Sequence, residues 1–168
     1  MYRDALDFLE EERAAWAPYE TLAELDDVEL DRPTDPSGPG HGWSGRDLIG
    51  HMVFWQEHLL AVARELALAD NAPSLDRMRE DWAARGDQIN EEVRLAWGEL
   101  TPEEVRRRLR QVPGELRGYL TVVPEIRWLK HPERMASVVE DTIEHYEEHR
   151  PELAAVLALA GREVEPAP

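Results

Sequence analysis

Leu48, Met52, Trp55, Leu59, Val62 and Leu66 recur at steps of three and four, the repeat of one face of an α-helix. The same repeat returns along Leu75, Met78, Trp82, Ile89, Val93 and Trp97, and again along Val138, Thr142, Leu153 and Val156. No stretch alternates apolar and polar residues as a half-buried strand does. The best candidate, LTVVPEI at Leu120 to Ile126, is interrupted by Pro124. Long amphipathic helices joined by short connections can hide their apolar stripes only against one another. An all-α fold is therefore expected, a four-helix bundle with an extra short helical segment.

Punctuation residues divide the chain. A first helix is expected from about Tyr2 to Leu25, with Leu6, Leu9, Arg13, Trp16 and Glu20 on its stripe and a kink or restart at Pro18. The Pro- and Gly-rich stretch DRPTDPSGPGHG, Asp31 to Gly42, reads as a loop crossing one end of the bundle. Ser44 with Asp47 three residues on forms a capping-box pair for a second helix running to about Ala69. Ser74 is placed to cap a third, roughly Leu75 to Trp97. Thr101-Pro102 opens a fourth that reaches about Leu120 and bends near Pro113-Gly114. The last helix starts near Pro132, bends at Pro151 and stops at Gly161. One domain over residues 1–161 with a frayed tail at 162–168 is the expected organisation.

Charge and composition narrow the partners. With 19 basic and 36 acidic residues the net charge is -17, a field that repels phosphate backbones and anionic lipid heads. Neither nucleic acid nor membrane is an expected partner, and no apolar run approaches the roughly 18 residues of a membrane span. The basic run RRRLR at Arg106 to Arg110 is offset by Glu103 and Glu104 and reads as a solvated helix face. The absence of cysteine excludes disulfides, thiolate ligands and a cysteine nucleophile. The opening residues carry no basic-then-apolar leader pattern, so a cytoplasmic location is expected. A small-molecule substrate and a homodimer complete the expected partners.

Histidines carry the chemistry. His145 and His149 are one helical turn apart and share a face with Val138, Thr142, Leu153 and Val156, so both are expected to point inward. Two imidazoles at that spacing can chelate one ion. His51, between Leu48 and Trp55 on the buried stripe of the second helix, can supply a third nitrogen. The same residues would equally suit a neutral polar cluster bonded to Thr142, Tyr146 or a buried water. His58 lies seven residues from His51, about 10.5 Å along the axis, too far for the same ion. It is expected to line a pocket or to be partly buried. His41 and His131 are expected at the surface.

The segments GWSGRDLIGHMVFWQEH and DTIEHYEEHRPEL together resemble the DinB-like superfamily, which includes mycothiol-dependent maleylpyruvate isomerase-like proteins and related thiol transferases. The match lies at Trp43, Ser44, Asp47, Leu48 and His51, and at His145 and His149, and the helix order agrees over nearly the whole chain. The resemblance implies a four-helix bundle in which His51, His145 and His149 hold a divalent metal with an open position for a low-molecular-weight thiol. Zinc is the first expectation for the metal and nickel the next. In that setting Trp43, Trp55 and Trp128 would wall a substrate pocket, and His58 and Glu148 would move protons, with Glu144 a further candidate. A non-catalytic bundle that binds a small hydrophobic molecule or metal in stress resistance, and a metal-assisted hydrolase, remain alternatives.

Overall fold

A computed structural model describes residues 2–164, and among them every regular element is helical. The elements are α1 (Ala5–Glu20), a 3-10 turn (Thr21–Glu24), the short α2 (Asp27–Leu30), α3 (Gly45–Leu68), α4 (Pro73–Gly98) and α5 (Pro102–Val122). A second 3-10 turn (Glu125–Arg127) leads into the final rod. That rod comprises α6 (Pro132–Val139), a π-helical turn (Glu140–Glu144), α7 (His145–Glu148) and α8 (Arg150–Leu159).

Helix α3 is central. It packs on α5, which packs on α1; α1 packs on the π turn and α7; the π turn and α8 return to α3, closing a ring of four rods. Helix α4 lies outside this ring against α3. The expected extra short segment is present as α2, and α4 is a further, full-length helix outside the ring. Among the described residues no helix is long and apolar enough to cross a membrane.

Local chemistry explains most boundaries. Ser44 Oγ accepts from the Asp47 N–H, and Asp47 accepts from the Ser44 N–H at 2.9 Å, the reciprocal capping box expected for α3. Thr101 caps α5 through the Glu104 N–H. At the far end, Gly161 takes a positive φ of 67°, and the Arg162 and Gly161 amides return to Leu157 and Ala158, a Schellman stop. Arg162 also binds Glu24, so the tail is docked at its start; positions 165–168 lie outside the described residues.

Other expectations are corrected. α1 begins only at Ala5, capped by Asp4, and ends at Glu20, two residues past Pro18, where the chain tightens into the 3-10 turn. Leu9 and Trp16 of the expected stripe are buried, together with Phe8, Glu12, Ala15, Pro18 and Tyr19, while Leu6, Arg13 and Glu20 are exposed. α5 passes Pro113-Gly114 without interruption. Ser74 does not cap α4; its N–H and Oγ both donate to Glu65 of α3, at 2.9 and 2.6 Å. At the other end of α4, the Arg46 side chain reaches from α3 to the carbonyls of Trp97 and Leu100. Fastened at both ends, α4 breaks between them at Arg85, whose φ and ψ of -154° and 35° leave the helical region. The basic run of α5 is tied down: Arg106 reaches Asp27, and Arg107 and Arg108 reach Glu104.

The core is split in two. One apolar cluster joins Trp16, Tyr19, Met52, Val53, Leu109, Val112 and Leu153; the other joins Phe8, Leu9, Leu59, Leu60, Leu116, Leu120 and Val138. Between them lies a polar layer with one member from each rod. Arg117 of α5 donates to Glu12 of α1 at 2.6 Å; Tyr146 of α7 donates to Glu12 at 3.1 Å; Gln56 of α3 donates to the Tyr146 oxygen at 2.9 Å. Glu12, Gln56 and Tyr146 have essentially no exposure. Removing one side of such a pair strands its partner's charge, which costs about 3–5 kcal/mol. Glu12→Ala is accordingly expected to lower stability in denaturant melts by about that amount, whereas Glu12→Leu combined with Arg117→Met recovers most of it. A loss under about 1 kcal/mol for Glu12→Ala would show that the layer is not a structural tie.

Candidate metal centre

His51 lies in the second turn of α3, where the capping box sets the helix start and hence the direction of the side chain. The adjacent Gly50 lets α4 approach closely: a Cβ there would fall 2.7 Å from Trp97 Cγ. His145 opens α7 immediately after the π turn, and His149 is the residue at which the rod breaks before α8, with φ -91° and ψ 10°. A π turn holds an extra residue and so rotates the helix beyond it. Thr142 and Tyr146 thereby enter the core, while His145 and His149 swing toward α3. The histidines are partly buried beside the core stripe rather than on it, a correction to the reading that aligned them with Thr142 and Leu153.

The three rings meet. His51 and His145 centroids are 4.9 Å apart, His51 and His149 4.7 Å, and His145 and His149 4.6 Å. One nitrogen from each falls within 4.8 Å of the other two, an arrangement that can hold a metal ion. Nitrogens bound to one ion at about 2.1 Å cannot lie more than about 4.2 Å apart, so small χ rotations close the set. The donor chemistry fits. His51 Nε2 and His145 Nε2 are buried without a hydrogen-bond partner, and His149 turns Nδ1 toward Glu152, which leaves its Nε2 for an ion. Thr142 bonds to the Val138 carbonyl and Tyr146 to Glu12, so neither satisfies the imidazoles as a neutral polar cluster would require.

Burial also sets the protonation state. It drives His51 and His145 down to about 3, helped by the neighbouring imidazoles. Burial lowers His149 as well, against the opposing pull of Glu152 and Glu148. All three are neutral at pH 7, the form that ligates. Behind them stand oriented groups. Glu152 Oε2 lies 3.5 Å from His149 Nδ1, and its Oε1 lies 3.6 Å from His41 of the Pro/Gly loop. Glu148 Oε2 lies 3.8 Å from His145 Nδ1, and Asn90 of α4 stands beside His51. Buried Glu152 is a residue that sequence reasoning misses. Its signal is the His-x-x-Glu spacing, which places it one turn beyond His149.

A cavity of about 580 Å³ opens onto the cluster between α3, α4 and the final rod. Trp43 stacks on His149 at 5.5 Å, and Trp55 meets His145 edge-on at 5.8 Å; both line the cavity. Trp82, on the exposed middle of α4, packs against Trp55 at 4.9 Å. Trp128 is not at the site: it is fully buried in the second apolar cluster against Phe8. His58 lines the cavity beyond Trp55, outside the metal cluster, and burial lowers it to about 4. Glu148 and Glu144 line the cavity too, both exposed. Asp141, unremarked in the sequence, is the cavity carboxyl most shielded from water, and burial followed by repulsion from Glu140 raises it to about 7. Nothing matches the chain among family models, curated proteins or solved structures.

The geometry has consequences for affinity and for stability. Replacing an outer-sphere partner of a metal-bound imidazole costs about 10–100-fold in metal affinity. Glu152→Gln is expected to weaken divalent-ion binding, measured by competition with a chelating dye, within that range. A second expectation concerns metal-free protein. His51, His145 and His58 have native pKa values below the unfolded 6.5, so only the unfolded chain takes up protons as pH falls below that value. Stability is full above pH 6.5 and is lost on the way down to the native values; Asp141 opposes this with one group against three. Each pKa unit is worth about 1.4 kcal/mol, so the melting temperature should fall by several degrees between pH 6.5 and 4. His51→Gln/His145→Gln should flatten that slope; an unchanged slope would show that these imidazoles are not held neutral by burial.

Proposed function

We propose that this protein is a member of the DinB-like superfamily, whose three-histidine centre binds a divalent cation and activates a low-molecular-weight thiol for transfer to, or isomerisation of, a small electrophile. The observation that carries this reading is the convergence of three imidazoles, one buried and two partly buried, from two distant segments at the wall of a cavity. No fourth protein ligand joins the cluster among the described residues, which suits a site with an open position rather than a closed structural one.

His51, His145 and His149 are the ligands, zinc is the first choice of ion and nickel the next. A divalent cation there supplies Lewis acidity, lowering the pKa of a thiol that joins it and polarising a carbonyl. The chain contributes the rest. Having no cysteine, it must take its sulfur from solution. Trp43, Trp55, Trp82 and Met78 wall an apolar space that holds the electrophile and keeps water away. Asp141, at about 7, is better matched to exchanging a proton at neutral pH than His58 at about 4. The acid–base role therefore moves from His58 and Glu148 to Asp141. Metal-assisted hydrolysis and non-catalytic sequestration use the same centre and are distinguished by turnover.

Tag-free protein is expected to carry about one divalent ion per chain, and His149→Ala to lose it, as measured by elemental analysis. In a screen of thiols against common electrophiles, metal-loaded protein should turn over and His149→Ala should not. Equal rates for the two proteins would sink the catalytic reading. A retained ion with no turnover would favour sequestration, and thiol-independent turnover would favour hydrolysis.

A further inference from the structure

The cavity walls differ in charge in a way the metal centre does not explain. The final rod presents Glu140, Asp141, Glu144 and Glu148, whereas α4 presents one cation, Arg79. Arg79 is engaged: its Nη2 donates to Ser137 Oγ at 2.8 Å, and it faces Asp141. Glu140, Glu144 and Glu148 have no lysine or arginine partner within 4 Å among the described residues. Two further cavity-lining side chains each carry an unpartnered polar atom. Trp55 Nε1 and His58 Nε2 belong to side chains more than nine-tenths buried, line the same cavity and have no hydrogen-bond partner. The Trp55–Trp82 pair lines the same cavity as these carboxylates.

The three metal ligands are neutral, so a bound dication keeps its full charge and attracts an anionic donor atom. The approach to it, by contrast, is carboxylate-lined. A ligand satisfying both ends carries a sulfur for the ion and a positive group for the wall. We propose that the cavity selects small thiols whose tail bears an ammonium group, held by Glu140, Glu144 and Glu148 and by the faces of Trp55 and Trp82, over thiols whose tail bears carboxylate. This rests on the metal and thiol reading above. The sulfur binds as thiolate and its proton passes to solvent.

The test is binding, not turnover. Cobalt-loaded protein is titrated at low ionic strength with 2-aminoethanethiol, 2-mercaptoethanol and 3-mercaptopropionate, following the sulfur-to-cobalt charge-transfer band and referring each affinity to thiolate concentration. The expected order is ammonium, then neutral, then carboxylate, with roughly tenfold or more between the extremes and a smaller spread at high salt. Glu144→Gln/Glu148→Gln, both at exposed positions, should compress the spread. Glu147→Gln on the same rod, outside the cavity and paired with Arg150, should leave it unchanged. Bands of equal affinity for all three thiols, or tightest binding of the carboxylate, would overturn the charge selection alone. Cobalt bound with no band from any thiol would overturn the thiol reading as well.

Discussion

The bundle depends on a carboxylate placed where carboxylates are least welcome. Glu12 is buried at the centre of α1 and accepts from Arg117 of α5 and Tyr146 of α7, while Gln56 of α3 closes the layer on the tyrosine oxygen. Every rod contributes one member. An apolar core alone tolerates sliding of helices by a turn, because one leucine can fill another's place. A charged group with fixed partners does not, since any slip strands it in a low-dielectric interior. The layer therefore sets the axial register of four rods, and the apolar clusters on either side supply the bulk of the burial.

Register matters because the histidines come from two of those rods. Gln56 and His51 share α3, little more than a helical turn apart, and Tyr146 is the residue after His145. Fixing Gln56 against Tyr146 thus fixes His51 against His145 to within the freedom of their side chains. The π turn adds the rotation. Its extra residue rotates His145 and Tyr146 together relative to α6, and in that setting Tyr146 meets the core while His145 meets the cavity. π turns cost hydrogen-bond geometry and persist where a side chain must be re-aimed, as happens here immediately before His145.

Much of this is legible in the residues, and the misses have physical reasons. The periodic stripe of α3, its Ser44–Asp47 box, the Thr101 cap and the Gly161 stop are local chemistry, settled within a few residues of sequence. The three histidines are legible because each sits on or beside a helical stripe at chelating spacing. Long-range effects are not. The burial of Glu12 depends on Arg117, more than a hundred positions away, so periodicity alone misses it and gives α1 a stripe of which Leu9 and Trp16 are buried while Leu6, Arg13 and Glu20 face water. Trp128 reads as a pocket aromatic, yet its partner Phe8 lies near the opposite end of the chain and draws it into the core. Ser74 looks like a cap until Glu65 of the preceding helix claims both its groups. The break at Arg85 has a trace in the sequence: between Trp82 and Ile89 the apolar stripe of α4 is interrupted.

That break bears on what the centre can do. Arg46 and Glu65 fasten the ends of α4 to α3, but the stretch carrying Arg79, Trp82 and Arg85 is exposed and has little packed beneath it except the cavity. A helix clamped at both ends and interrupted in the middle is an arch, and Trp82 and Asn90 on either side of the interruption both line the cavity. Segments with few buried contacts open most readily, and the middle of α4 is an exposed part of the cavity wall. The polar layer is the opposite case, tying α3 and α7, which carry His51 and His145, through buried hydrogen bonds. The ligand exchange proposed for this centre draws on that division between a bonded floor and an exposed, interrupted cover.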